Sequence, residues 1–259
     1  MNLGIEGKKA LVWGGNRGLG KAAALQLARE GVQVTLLART ASSLQQAQQE
    51  IRRLSGLTPA VLAADITTEQ GRNAVLALCP QPDILINNAS GPAPGDFRQW
   101  DRRQWLSALD SMMLGPIEMM RLTVDGMAAR GFGRIVNITS RSVKTPQLEL
   151  GLSNSARCGL TGFVAGLSRT VVRHNVTINN ILPGIFATEG QWQHIQALAQ
   201  QSGRDSEQIR RERAAGNPAL RYGEPEEFGA ACAFLCSRQA GFITGQNLLI
   251  DGGGYPGTF

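Results

Sequence analysis

Near its start the chain runs Lys9-Ala10-Leu11-Val12-Trp13, stops at Gly14-Gly15-Asn16-Arg17-Gly18-Leu19-Gly20, and resumes with a helical pattern from about Leu19 to Glu30. A short apolar strand, a glycine turn and a helix, in that order, leave few folds open. Glycines let the backbone turn tightly and come close to a diphosphate, while the helix N-terminus offers unpaired N–H groups and a partial positive charge. A second strand pattern, Val32 to Ala38, begins after Gly31 at the spacing a dinucleotide fingerprint requires. Gly14, Asn16, Arg17, Gly18, Leu19 and Gly20 are therefore the expected phosphate cradle.

A ribose with a free 2′-hydroxyl calls for a carboxylate at the end of that second strand. The chain has Ala38-Arg39-Thr40 there instead. Arg39 and Arg17 are placed to converge on a 2′-phosphate and pair with it bidentately, which favours NADP(H) over NAD(H). The competing reading leaves both arginines as solvated surface charges.

Beyond this unit, strand-like runs alternate with helical stretches. Strands are expected at Ala60–Ala64, Ile84–Asn87, Arg134–Thr139, Thr177–Leu182 and Gln246–Ile250. Helices are expected near 42–54, 68–78, 102–130, 152–173 and 224–237. The rhythm predicts a Rossmann-type, doubly wound parallel sheet of seven strands with helices on both faces, a single α/β domain over residues 1–259. A polar, Gln- and Arg-rich stretch at about 185–217 breaks the rhythm directly after a strand end. It reads as a substrate lid, or as a surface insertion without function.

Composition narrows the rest. Apolar stretches are strand-sized and the N-terminus has no leader pattern, so no membrane association and a cytoplasmic location are expected. Cys79, Cys158, Cys232 and Cys236 show no metal-ligand spacing, and the last pair reads as buried packing. The 26 Lys and Arg residues, only four of them Lys, exceed the 20 acidic ones by six. They are scattered and no nucleic-acid motif accompanies them, so a basic surface and a phosphate-bearing cofactor account for them without nucleic acid.

These motifs, in this order, resemble the short-chain dehydrogenase/reductase family, in particular its 3-oxoacyl-acyl-carrier-protein-reductase-like branch. The resemblance runs from about Ile5 to Gly254 and is carried by Gly14, Gly18 and Gly20, by Asp65, by Asn87-Asn88-Ala89, by Pro183-Gly184 through Thr188, and by Gly245-Gln246 to Asp251-Gly252-Gly253. It implies that Asp65, with Ile66 after it, lies at the adenine, that Asn88 and Ala89 support the adenosine side, and that Pro183, Gly184 and Thr188 hold the nicotinamide amide. It also implies a homotetramer. Trp13 in place of the family's Thr, and Ser90 where it usually has Gly, are tolerable departures.

The family's Asn, Ser, Tyr and Lys tetrad is a different matter. Ser140 is kept, but the same register puts Ser153 at the Tyr position, Arg157 at the Lys position and Met112 at the Asn position. An aliphatic hydroxyl is a far poorer acid than a phenol and is shorter by about a ring's length. Arg157 cannot pass protons as a lysine does and reads as a clamp on the nicotinamide ribose. Met112 cannot hold a relay water. Of the two tyrosines, Tyr222 lies beyond the lid, and Tyr255, in the C-terminal tail, is expected to reach a nicotinamide only from a neighbouring subunit.

Lys144, four residues after Ser140, is the candidate acid. It could equally bind an anionic group of the substrate, or be a solvated loop lysine. Arg141 is undecided in the same way. His194 either approaches substrate when the lid closes or is solvated, and His174 reads as surface.

Two function classes stand. One is an NADP(H)-dependent oxidoreductase with a non-standard proton donor, acting on a small carbonyl or alcohol through Ser140, Lys144, Ser153 and Arg157. The other keeps the nucleotide site for non-redox work, as a sensor, scaffold, isomerase or lyase. An enoyl-thioester reductase of this family would space its Tyr and Lys more widely, and Gly159 and Leu160 provide no such lysine.

Overall fold

A computed structural model of the chain describes residues 2–258. Seven strands, β1 (Lys9–Trp13), β2 (Gln33–Ala38), β3 (Ala60–Ala63), β4 (Ile84–Asn88), β5 (Gly133–Ile138), β6 (Val176–Pro183) and β7 (Asn247–Ile250), form one sheet in the order β3-β2-β1-β4-β5-β6-β7. Every pairing is parallel. The helices are α1 (Gly18–Arg29), α2 (Ala41–Ser55), α3 (Glu69–Leu78), α4 (Arg102–Leu109), α5 (Gly115–Ala129), α6 (Gly151–Val171), α7 (Glu189–Ser202), α8 (Ser206–Ala215) and α9 (Pro225–Leu235).

Alternation along the strands explains the two-faced core. Ala10 and Val12 of β1, with Ile84 and Ile86 of β4, pack in one cluster with Leu27 of α1, Leu44 and Ile51 of α2, and Phe228 of α9. The intervening Leu11, Trp13 and Leu85 pack in another with Met119, Met120 and Val124 of α5 and Leu160 and Val164 of α6. Strands covered on both faces must be apolar on both, which is why β1 and β4 read as continuous apolar runs. Cys232 and Cys236 are fully buried in the first cluster, in keeping with a packing role.

One polar feature crosses this interior. Asn87 Nδ2 donates to Asn137 Oδ1 at 2.8 Å, Asn137 Nδ2 to Asn180 Oδ1 at 3.0 Å, and Asn180 Nδ2 to Asn247 Oδ1 at 2.8 Å. The residues are register partners on β4, β5, β6 and β7. A one-residue slip of any of these strands would leave buried amides unpaired, at about 1–3 kcal/mol each, so the ladder holds the strand ends in line beneath the site.

Two expectations need amendment. The stretch expected as one helix over 102–130 is helical throughout but changes winding: Asp110–Leu114 forms a π-helical turn between α4 and α5, and Met112 lies within it. The stretch at 185–217, read as polar, holds the helix pair α7 and α8 with a small core of its own. Ile185, Ile195, Ile209 and Tyr222 are buried there, with Trp192 packed edge-on to Tyr222 at 5.0 Å between ring centroids. Among the described residues no helix is long and apolar enough to cross a membrane.

Candidate active site and nucleotide cleft

Strand order reverses direction between β1 and β4, and in open parallel sheets a ligand crevice opens outside the carboxyl ends of strands at that point. A cleft of about 1340 Å³ lies there, lined at one end by Gly14, Asn16, Arg17, Arg39 and Asp65 and at the other by Ser90, Gly91 and Leu152.

The first end is made largely of backbone. Gly14 has φ +66° and donates its N–H to the Leu37 carbonyl at 2.8 Å, while Asn88 Nδ2 donates to the Gly14 carbonyl at 3.2 Å. A Cβ on Gly14 would run into the Asn88 carbonyl, and one on Gly20 into the Gly14 carbonyl. The turn therefore closes only with glycine at both places. Helix α1 starts at Gly18 with no side chain capping it, so the N–H groups of its first turn are left for an anion, and Leu19 packs inward against the core. Asn16 Nδ2 donates to Ser43 Oγ at 2.9 Å. Arg17 and Arg39 are exposed on the rim, and neither forms an ion pair among the described residues. Asp65 Oδ1 accepts from the N–H (2.9 Å) and Oγ1 (2.7 Å) of Thr67, which fixes the carboxylate in the wall, with Ile66 fully buried beside it.

Donor groups, shape and charge at this end fit a dinucleotide with a phosphorylated adenosine ribose. Gly14, Gly18, Gly20 and the α1 N-terminus would hold the diphosphate, Arg17 and Arg39 the 2′-phosphate, and Asp65 the adenine side. Pro183 ends β6, and Gly184 N donates to the Ile250 carbonyl at 2.9 Å, which brings the two strand ends together. Thr188 caps α7 by accepting from Gln191 N at 3.2 Å, and it sits 3.9 Å from where a Gly18 Cβ would lie. The start of α7 thus closes over the glycine loop.

The second end is made of side chains. Ser140 follows β5 and its Oγ accepts from the N–H and the Oγ of Ser142, at 3.1 and 3.0 Å, which leaves its own O–H to donate. Ser153 and Arg157 lie one turn apart on α6, both buried. Arg157 donates from Nε to Ser153 Oγ at 3.0 Å, from one terminal nitrogen to the Ile138 carbonyl at 2.9 Å, and from the other to the Ala89 carbonyl at 2.9 Å. Among the described residues no carboxylate pairs with it, and burial pushes the guanidinium down to about 10, still cationic in the physiological range. Arg157 is therefore first a brace between the ends of β4 and β5. Ser153 Oγ, 3.5 Å from where a Gly91 Cβ would lie, accepts from that brace and keeps its O–H free to donate.

Met112 is buried with Ala108, Leu152 and Ala156, so the place the resemblance gives to a polar relay is an apolar patch. Trp100 stacks over this patch. A Cβ on Gly151 would come within 2.8 Å of its ring and one on Gly95 within 2.9 Å of its Nε1. Gly95 and Gly151 were the available signal that an indole would press so close.

Lys144, on the turn after β5, has its Nζ 5.4 Å from the ring centroid of Tyr255. The chain's own tail thus carries Tyr255 to the turn after β5. Tyr222 is buried in the α7–α8 core, its hydroxyl donating to the Arg210 carbonyl at 3.2 Å. His194 is half-buried in α7; burial, then the nearby Arg213, pushes its imidazole pKa below the usual value.

Known proteins share this fold. The pattern that defines the family described as enoyl-(acyl carrier protein) reductase matches residues 14–254. The chain is 28% identical to the NADPH-dependent reductase BacG of Bacillus subtilis over 95% of its own length and 97% of that protein. It is 31% identical to the 3-oxoacyl-[acyl-carrier-protein] reductase of Vibrio cholerae over 98% and 99%. Its fold superposes on the L-sorbose reductase of Gluconobacter frateurii, solved with NADPH and L-sorbose, with a TM-score of 0.93 at 27% identity over the whole of both chains. From the glycine turn to the final strand, this chain belongs to the short-chain dehydrogenase/reductase family.

Proposed function

We propose that the protein is an NADP(H)-dependent oxidoreductase that reduces a small carbonyl compound, or oxidises the corresponding alcohol, with a proton donor other than the family's tyrosine. The observation that carries this reading is a nucleotide cleft beside two hydroxyls, Ser140 and Ser153, that each accept a hydrogen bond and keep an O–H to donate. A bound nicotinamide supplies a hydride; the chain's own residues must place the carbonyl and manage its oxygen. Ser140 and Ser153 donate to that oxygen as charge develops on it, and Arg157, desolvated beside Ser153, strengthens the second donor. Lys144, half-buried on the turn after β5, provides a cation in this region. The α7–α8 pair serves as the lid, hinged near Gly184 and Thr188, and carries His194 toward the substrate. Exposed Phe163 and Phe242 support a homo-oligomeric assembly, proposed as a tetramer.

The apolar patch around Met112 favours the second reading, a nucleotide-binding protein without redox turnover. The two separate cleanly. Calorimetric titration with NADPH and NADH, followed by a panel of small ketones including ethyl acetoacetate and L-sorbose, should show NADPH-selective binding and substrate-dependent loss of the nicotinamide absorbance. Binding with no turnover across the panel would favour the non-redox reading.

A further inference from the structure

We propose that the edge of the sheet opposite the nucleotide cleft carries a separate small-molecule site, which takes a monocarboxylate with a short hydrocarbon body and binds it without displacing the nucleotide. A pocket of about 440 Å³ lies at the amino ends of β1, β2 and β3, within the usual size of small-ligand sites, about 300–1,000 Å³. One wall is sheet. Lys9 and Gln33 are register partners on β1 and β2, Thr35 and Ala60 on β2 and β3, and residues two apart on a strand share a face. Another wall is the end of α3, at Leu78 and the Cys79 that follows it. Lys9 begins β1, and Trp13, which lines the nucleotide cleft, ends it, so the two sites are about 13 Å apart along one strand.

Two observations point to a ligand and to its chemistry. Thr35 is only 7% exposed, yet its hydroxyl has no hydrogen-bond partner among the described residues, and the space it borders is this pocket. A buried hydroxyl is ordinarily paired, so this one is placed for a partner that enters the pocket. Lys9 carries the positive charge of the lining and forms no ion pair among the described residues. The adjacent Asp83 carboxylate accepts the Lys9 backbone N–H at 3.1 Å and is otherwise turned to Lys8 and Arg130, at 3.8 and 3.7 Å. Burial pushes the Cys79 thiol up against the pull of the Lys9 ammonium, so at neutral pH the thiol keeps its proton and the pocket's charge is a single positive one. Leu57 and Leu78 leave 41% and 48% of their surfaces in water, apolar area that a hydrocarbon body would cover. A lone cation, a hydroxyl and apolar walls complement a carboxylate on a hydrocarbon; a phosphate calls for several charged donors.

The test is calorimetric titration of the protein with octanoate, octanol and octylammonium, alone and saturated with NADPH. Octanoate should bind at one site in both states, with octanol about 3–5-fold weaker, the scale of a partly exposed ion pair, and octylammonium weaker still. Lys9→Met should erase the preference for octanoate over octanol, and Lys9→Arg should keep it. Thr35→Val, similar in shape but without the hydroxyl, should weaken octanoate several-fold. Ala60→Trp puts an indole into the pocket from the edge strand β3 and should abolish octanoate binding, with the circular dichroism spectrum and NADPH binding unchanged. No binding of octanoate by the wild type, its displacement by NADPH, or binding indifferent to both Lys9→Met and Ala60→Trp would overturn the proposal. A wild type that bound octanoate but neither nucleotide would support this site and contradict the nucleotide cleft.

Discussion

The two ends of the cleft are built from different materials. Around Gly14, Gly20 and Asn88 the contacts are made by backbone atoms, and a single added methyl group meets a carbonyl. Around α6 they are made by side chains, with Ser153, Arg157 and Met112 at the positions that the resemblance gives to the family's Tyr, Lys and Asn. A backbone-built site admits almost no substitution, whereas a side-chain site can be exchanged as a set if the new members satisfy one another. Arg157 shows how: its guanidinium joins Ala89, Ile138 and Ser153 in one structural brace.

The largest effect should come from the rigid end. Gly14→Ala adds a Cβ against the Asn88 carbonyl at a positive φ, and should cost about 3 kcal/mol or more in stability and abolish NADPH binding. Urea denaturation and calorimetry measure both. If the variant bound NADPH normally, the contrast between the two ends would be lost.

At the exchangeable end, the paired change Ser153→Tyr with Arg157→Lys restores the family's residues but removes the brace. The Ala89 and Ile138 carbonyls would lose charge-assisted bonds, and the account predicts a loss of about 2–4 kcal/mol with no gain in carbonyl reduction. A marked gain would mean that only the donor was missing from α6.

Smaller effects sharpen the comparison. Arg39→Ala should weaken NADPH binding by about 10–100-fold, roughly 1.4–2.8 kcal/mol, and leave NADH binding nearly unchanged. Equal losses for both nucleotides would place Arg39 away from the 2′-phosphate.

The smallest effect concerns His194, whose pKa is held below the ordinary 6.5 in the fold. Above that value neither state binds the proton. As pH falls below it the unfolded segment takes up a proton before the folded one, so stability of the α7–α8 pair should fall with pH. Hydrogen exchange over residues 189–215 should show faster opening in mild acid, and His194→Gln should flatten the dependence. An unchanged profile in the variant would place the titrating group elsewhere.

Legibility from the sequence follows the same division. The glycine turn, the apolar strands and the Asn-Asn-Ala turn are local patterns, and the structure places β1 at Lys9–Trp13 as read and most other strand ends within a residue or two. The π-helical turn at Asp110–Leu114 was not legible, because one extra residue in a turn leaves the apolar pattern on either side intact. Nor was the core of α7 and α8, whose members Ile185, Ile195, Ile209 and Tyr222 are spread over nearly forty residues of polar sequence. The Arg157 bonds to two carbonyls and the meeting of Lys144 with Tyr255 join residues far apart in the chain, and no spacing rule announces them.

The central claim is that an intact NADP(H) cleft serves a site whose proton delivery has left α6. It is tested most directly by titrating the purified protein with NADPH and NADH and then adding the ketone panel to the same NADPH complex. The account predicts binding that favours NADPH by at least about tenfold and oxidation of NADPH that depends on a ketone. Failure to bind either nucleotide, or tight binding with no ketone reduced, would contradict it.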